Sequence, residues 1–378
     1  MRHHSRKIGD VAKVKGGKRL PKGMSVRDEP TEHSYLRVVD FGEGGINRSN
    51  IKYIDNEAFE SVKRYTIDNK DVYISIAGTI GRVGVVPSDL SGANLTENAA
   101  KITEIREDID HSYLMYYLRG PVGQGAIKNM TGGTSQPKLA LCRIADIEFP
   151  CLPVAIQHRI ASILCAYDNL IENNQRRIHL LEQAARLLYK EWFIHLRFPG
   201  HEHVKVKNNV PEGWEIKPLV NVAPLNYGKA LKEDDRTPGK VAVYGSSGIV
   251  GRHDKALVNG PTIIVGRKGN VGSVYWSAND CWPIDTVYYV AKQQATLYLF
   301  YALLNTSFIS TDVAVPGLNR DFAHSRLILV PSPFVLELFE EGAIPLHRQI
   351  EALGRQNASL IAARDLLLPR LMNCDITV

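Results

Sequence analysis

The sequence predicts an α+β protein: two similar β-rich α/β globular units separated by a pair of long antiparallel helices of coiled-coil type, related by a pseudo-twofold internal repeat. Three observations predict it. The stretch AGTIGRVGVV from Ala77 places Gly78, Gly81 and Gly84 at every third position, and VGRKGNVGSV from Val265 repeats that spacing at Gly266, Gly269 and Gly272, 188 residues later in a chain of 378. At an offset of 211, Ile8, Val11, Ala12, Gly17, Lys18 and Leu20 fall on Leu219, Val222, Ala223, Gly228, Lys229 and Leu231, so both copies open with an apolar-periodic stretch ending in G-K-x-L. After a proline pair in each copy, Pro150 with Pro153 and Pro331 with Pro333, the apolar period changes from about two to about three and a half.

In chain order, residues 1–149 read as the first globular unit. Its strands are marked by short β-branched and aromatic runs such as DVYISIAG, as TIIVG and TVYYV mark those of the second unit. The segment GGTSQPKLAL from Gly132 precedes a short apolar strand and is matched by PGLNRDFAHS from Pro316; the offset of 188 also places Glu97 on Asp285. Residues 150–198 form a central helical region. In it Ile160, Ile163, Tyr167, Leu170, Asn174, Ile178, Leu181, Ala185, Leu188 and Trp192 are spaced by threes and fours, which predicts a helix with a seam from Gln157 to Phe193. Residues 199–335 hold a polar, non-periodic linker, part of FPGHEHVKVKNNVPEGW, and then the second unit. Residues 336–378 form a C-terminal helical region, where Ile350, Leu353, Asn357, Leu360, Leu367 and Leu371 predict a shorter helix from His347 to Leu371, about 37 Å long at 1.5 Å per residue. A helix with an apolar seam must bury it, and the nearest equivalent seam is the other one. Asn174 and Asn357 fall near it, either as buried amides that fix register or at its solvated edge.

Composition bounds the function. An apolar fraction of 44% and a charged fraction of 23% suit ordinary globular cores. No run of 18 apolar residues occurs and the N-terminus has no apolar stretch behind its basic start, so a soluble cytoplasmic protein is expected. The five cysteines, Cys142, Cys151, Cys165, Cys281 and Cys374, never form CxxC, which argues against a zinc site or a disulfide framework. The net charge of +6 is concentrated in the globular segments: +3 over residues 1–149 and +4 over 205–335, against +1 over 150–204 and −2 over 336–378. Residues 1–22 alone hold eight Lys or Arg and one Asp. Such clustering is what a polyphosphate partner requires.

Catalytic patterns are weak. VVDFGEGG from Val38 resembles the glycine loop of S-adenosylmethionine methyltransferases, but no N-P-P-aromatic or D-P-P-aromatic motif accompanies it. GGKR at Gly16 lacks the Ser or Thr of a phosphate-binding loop, His201 and His203 have no further ligands, Ser246 in GSSG has no base, and Glu215 with Lys217 has no matching acid upstream. A binder without catalysis, cofactor or metal is expected. The rivals are a two-headed protein adaptor that never touches DNA, and a methyltransferase.

The glycine motif, TGGTSQPKLAL running into IEFPCLP, the start of the helix after Ile156, and LLYKEWFIHLRFPGHE together resemble the specificity subunit of type I restriction-modification systems. The resemblance covers nearly the whole chain, and Leu187–Gly200 is its most specific part; the second half departs from it, lacking T-S-Q-P. It implies two target recognition domains reading a bipartite, asymmetric site in double-stranded DNA. It also implies helices that dock two methyltransferase subunits, recruitment of restriction/translocase subunits, and a nucleoid-associated place in a prokaryotic cytoplasm. Catalysis then belongs to the partners. Lys18, Arg19 and Lys22, with Lys229 and Lys232, recur near G-K-x-L and are candidates for phosphate contact. Arg82 and Arg267 are candidates for base contact, with Lys268 beside the latter, and Lys138 and Arg320 are expected in loops after the glycine motif.

Overall fold

The computed structural model describes residues 4–42, 45–132, 137–308, 317–373 and 375–376. Thus Glu43 and Gly44 of VVDFGEGG, Gly133–Gln136 of TGGTSQPKLAL, Pro316 and Cys374 lie outside the described residues. The chain divides into two compact units, Met1–Gln175 with Arg355–Val378, and Arg176–Gly354.

The first unit contains β1 (Ser5–Lys7), α1 (Ile8–Val11), β2 (Lys13–Gly16), β3 (His33–Leu36), β4 (Lys52–Ile54), α2 (Asn56–Val62), β5 (Thr66–Ile67), β6 (Val72–Ser75), β7 (Val83–Val85), β8 (Ala93–Leu95), β9 (Ala99–Thr103), α3 (His111–Arg119), α4 (Pro121–Met130), α5 (Leu141–Ala145) and β10 (Glu148–Pro150). It continues into the long α6 (Val154–Tyr189). Its sheets have the orders β2-β9-β6-β7 and β4-β3-β8-β5, with β1 paired to β10. β6 is buried at every residue, Ser75 included. Asp110 caps α3 by accepting from the Tyr113 N–H at 2.8 Å.

The second unit takes in the end of α6, a π-helical turn at Lys190–Ile194, and a small hairpin of β11 (Val206–Lys207) and β12 (Val210–Pro211). It goes on through β13 (Glu215–Pro218), α7 (Leu219–Val222), β14 (Leu225–Tyr227), β15 (Val241–Gly245), β16 (Gly248–His253), β17 (Thr262–Gly266), β18 (Val274–Ser277), β19 (Cys281–Pro283), β20 (Val287–Val290), α8 (Leu297–Leu304), α9 (Arg320–His324) and β21 (Leu327–Val330). The last helix, α10 (Pro333–Met372), opens here and ends in the first unit.

The sheet orders are β14-β20-β17-β18 and β16-β15-β19, with β13 paired to β21. The larger sheet repeats that of the first unit strand for strand, and each smaller sheet has one parallel pair, β3 with β8 and β15 with β19. The internal duplication is therefore topological. Among the described residues, helices α2 and α4 and strand β5 have no counterpart in the second unit.

The first helix is close to the expected one. The second is 40 residues long and begins fourteen residues before His347. Gly342 and Pro345 obscure its pattern, but Phe339 and Ala343 are fully buried in the core of the second unit. Pro333 also suits the first turn of a helix, where no N–H bond is lost.

Within the first unit the two helices run antiparallel, Asn174 lying by Asn357 and Asp168 by Arg364. Asn174 and Asn357 are 3% and 7% exposed. The Asn174 Nδ2 donates to Asn357 Oδ1 at 3.0 Å, and Asn357 Nδ2 donates to the Ile171 carbonyl at 3.3 Å. They are buried amides. Asn174→Leu, which leaves the Asn357 Oδ1 without its donor, is expected to cost about 1–3 kcal/mol, whereas the double change to leucine recovers that loss. Urea midpoints of the single and double variants check this.

LLYKEWF and the following RFPG serve packing. Tyr189, Phe193 and Phe198 are buried with Trp214, Tyr298 and Phe339, and Phe193 lies 4.7 Å from Tyr298 and 5.1 Å from Phe339 between ring centroids.

Candidate nucleic-acid interface

In each unit three connections meet at one end of the larger sheet, because β2 and β6 run parallel to one another and end where β9 begins. The Lys18 N–H donates to Leu95 O at 2.9 Å, and Ile76 N–H donates to Asn98 O at 2.8 Å. In the second unit Lys229 N–H donates to Pro283 O at 3.0 Å, and the Arg267 and Lys268 N–H groups both donate to Thr286 O, at 2.9 and 3.1 Å. A side chain has no room just before either lysine. A Cβ on Gly17 would stand 2.1 Å from Thr96 O, and one on Gly228 would stand 2.1 Å from Ile284 O. The recurring G-K is thus a backbone lying flat against the opposite connection, with the lysine turned outward into solvent.

The glycine hairpins correct the alignment. Ser75 N–H pairs with Arg82 O and Gly81 N–H with Ser75 O; Gly266 N–H pairs with Ser273 O and Gly272 N–H with Gly266 O. The equivalence is therefore offset by 191: Gly78 and Gly81, with φ of +73° and +87°, match Gly269 and Gly272, with +80° and +76°. A slip of one three-residue period leaves two glycines in register, so sequence does not detect it. The third match slides as well. Leu139 N–H donates to Ile76 O at 3.0 Å and Leu318 N–H to Arg267 O at 2.7 Å, which equates Leu139 with Leu318. Arg320 consequently opens α9, behind its Asn319 cap, and is not a loop residue.

The candidates differ in how free they are. Lys18, Lys22, Lys138, Lys229, Lys232 and Lys268 are exposed and have no carboxylate in ion-pair range among the described residues. Arg19 is paired to Glu97 at 2.6 Å. Arg82 is tied by Nη1 to Phe41 O at 2.6 Å. Lys232 precedes the acidic turn Glu233–Asp235, which weakens the local field for an anion. Arg267 lies over Tyr227 at 5.1 Å and Tyr288 at 5.8 Å, and Arg320 over Tyr227 at 4.9 Å. Those two tyrosines escaped the sequence reading; the signal was Tyr227 standing directly before G-K. Burial holds the Tyr288 phenol above its ordinary range, with Tyr227 adding to that and Arg267 opposing it.

In the first unit an open groove of about 530 Å³ runs beside the hairpin, between Gly78, Gln124, Lys128 and Pro137. VVDFGEGG is not a strand followed by a loop acid: Val38–Asp40 is a 3-10 turn whose Asp40 is buried against Arg37, at 2.8 Å, so its carboxylate is already occupied. Among the described residues there is no cluster of three metal-ligating side chains, and no helix is long and apolar enough to cross a membrane.

The type I restriction modification DNA specificity domain family matches residues 3–183 and 211–321. The chain belongs to that family. The first matched stretch holds the strands β1 to β10 and the second the strands β13 to β20, and the chain is a DNA-recognising, non-catalytic specificity subunit of a type I restriction-modification complex. It is similar to the MjaIX specificity subunit of Methanocaldococcus jannaschii, 25% identical over 305 residues that cover 72% of this chain and 71% of that one. The MjaVIII specificity subunit of the same organism is 27% identical over 237 residues, 60% of this chain and half of that one. The crystal structure of the type I S subunit from M. genitalium has the same fold, with a TM-score of 0.61 at 18% identity, covering 97% of this chain and 95% of that one.

Proposed function

We propose that this specificity subunit grips double-stranded DNA with the loop end of each larger sheet, one unit to each half of a bipartite, asymmetric site. The observation that carries the reading is the paired placement of Lys18 and Lys229. Each is exposed, has no acidic partner among the described residues, and follows a glycine that no other residue can replace without a backbone collision. Lys22, Lys138 and Lys268 add to the positive field, and Arg19, Arg82 and Lys232, with their competing partners or acidic neighbours, contribute less. Lysines that meet phosphates supply affinity and salt dependence, and side chains that reach base edges supply sequence. Because α2 and β5 have no counterpart among the described residues of the second unit, the two half-sites differ, and the whole site is not palindromic.

The globular units span 1–149 and 199–335 in this reading, and the helical regions 150–198 and 336–378 dock two methyltransferase subunits, with restriction/translocase subunits recruited to the same assembly in a prokaryotic cytoplasm. Exposed Leu170, Leu180 and Leu187 on α6 and Leu366 on α10 support that role for the helices. No cofactor is assigned to this chain. The double variant Lys18→Ala with Lys229→Ala is expected to weaken binding to every duplex in a mixed pool alike. It is also expected to reduce the slope of log affinity against log salt by about 2, near 0.9 for each phosphate that is no longer neutralised. A salt titration of the full chain checks this, and an unchanged slope removes these lysines from the interface.

A further inference from the structure

Backbone pairing makes four positions of the two units strictly comparable. Gly16 in β2 faces Ala100 in β9, as Tyr227 in β14 faces Tyr288 in β20. Ile76 accepts the Leu139 N–H as Arg267 accepts the Leu318 N–H, and Leu141 opens α5 where Arg320 opens α9, each two residues beyond that leucine. The first unit therefore has Gly16, Ala100, Ile76 and Leu141 where the second has Tyr227, Tyr288, Arg267 and Arg320. In the first unit the space is closed by hydrocarbon: a Cβ on Gly16 would touch Leu141 at 3.6 Å, and Ile76 is 4% exposed.

In the second unit the same place holds two guanidinium groups over one ring, Arg267 at 5.1 Å and Arg320 at 4.9 Å from the centre of Tyr227. Tyr288 backs Tyr227 edge-on at 5.1 Å, and its hydroxyl donates to Leu318 O at 2.9 Å, which fixes it. Arg267 Nη1 donates to Asp285 O at 3.1 Å. Neither arginine has a carboxylate in ion-pair range among the described residues. Two like charges over one ring repel each other, and the ring face offsets only about 0.5–1 kcal/mol for each at an exposed site. An external pair of acceptors relieves that repulsion. Tyr227 is 48% exposed, so the cluster is open to such a ligand.

We infer that Tyr227 is a positioning residue which holds Arg267 and Arg320 as a two-guanidinium clamp for paired acceptors of the DNA, a phosphate or a guanine edge, in the second half-site alone. The first unit has no such clamp at the equivalent place, which is closed by hydrocarbon. The clamp rests on the assignment of the loop ends as the DNA-binding face, and it deepens that assignment by giving the two half-sites different chemistry.

The test is selection of duplexes from a randomised pool by the full chain, followed by affinities for the selected site. Arg267→Ala with Arg320→Ala, and separately Tyr227→Leu, are expected to reduce affinity by roughly tenfold and to flatten the base profile or the backbone dependence of one half-site only. The other half-site is the internal control for folding. Tyr227→Phe keeps the ring and is expected to bind as the parent does. Methylphosphonate and 7-deazaguanine substitutions in that half-site then separate phosphate from base: whichever one abolishes the difference between the parent and the arginine variant identifies the acceptor.

Equal effects of Tyr227→Leu on both half-sites, no effect at all, or a Tyr227→Phe defect as large as that of leucine would each overturn the clamp. A silent Lys18→Ala with Lys229→Ala variant would instead overturn the DNA-binding face itself.

Discussion

Asp168→Ala is expected to lower the stability of the first unit by about 3–5 kcal/mol, the usual consequence of removing one member of a buried charge network. Asp168 on α6 accepts from Arg364 on α10 at 2.6 Å, and from Arg119 at 2.8 Å and the Tyr116 hydroxyl at 2.7 Å on α3. The Arg364 and Arg119 side chains are only 7% and 12% exposed, so deletion takes a carboxylate from two cations with little solvent to replace it and leaves Arg364 with Asp365. Asp168→Asn keeps the shape and one acceptor and is expected to fall between the two. Burial alone would raise the Asp168 carboxyl, but the Arg119 charge and the bonds from Tyr116, Arg364 and Arg119 together hold it below its ordinary value. A depressed carboxylate stabilises above its unfolded pKa of about 3.9, and the contribution is lost as pH falls through the folded value. Urea unfolding by circular dichroism measures the loss. Trp192, Trp214, Trp276 and Trp282 all lie in the second unit, so tryptophan fluorescence follows that unit separately. A shift below 0.5 kcal/mol, roughly that of a neutral surface change, would show that the network contributes nothing.

The second unit is expected to lose about 3 kcal/mol between neutral pH and about pH 4 through His347, near 1.4 kcal/mol for each unit of its pKa shift. Burial pushes this imidazole down from 6.5 to about 4. Its Nε2 is 2.7 Å from the Tyr301 hydroxyl, and the rings of Trp276, Phe300 and Tyr301 lie about 6 Å away. In the folded chain the ring stays neutral below its ordinary pKa, while in the unfolded chain it takes a proton there. Between 6.5 and about 4 the unfolded state therefore binds more protons, and stability falls as pH falls. His347→Leu forfeits the tyrosine bond at neutral pH but removes this linkage, so its urea midpoint is expected to vary less over that interval. A parent and variant with parallel pH profiles would exclude His347 as the titrating group.

The duplication was legible because it is written in residue types that backbone geometry forces. Gly17 and Gly228 both recur before a lysine since a Cβ at either position meets a carbonyl oxygen. The change from a period near two to one near three and a half is equally forced by the difference between sheet and helix. The length of α10 was not legible. Gly342 and Pro345 break its local pattern, and only the burial of Phe339 and Ala343 in the second core carries the helix across them. Nor was the register of the glycine hairpins, because a repeat of three looks alike after a slip of three.

Sequence alone determined that there are two homologous units, a helical element after each, and clustered lysines where the first strand of the larger sheet ends. Tertiary structure decided which of those cations stand free and which are bound to Glu97, to Phe41 O or to a tyrosine ring. It also decided that Asn174 and Asn357 are inside. The reason is physical: glycine and periodicity report constraints within a few residues, whereas partnership and burial depend on residues brought close from 70 to 190 positions away, as Arg19 meets Glu97 and Asn174 meets Asn357.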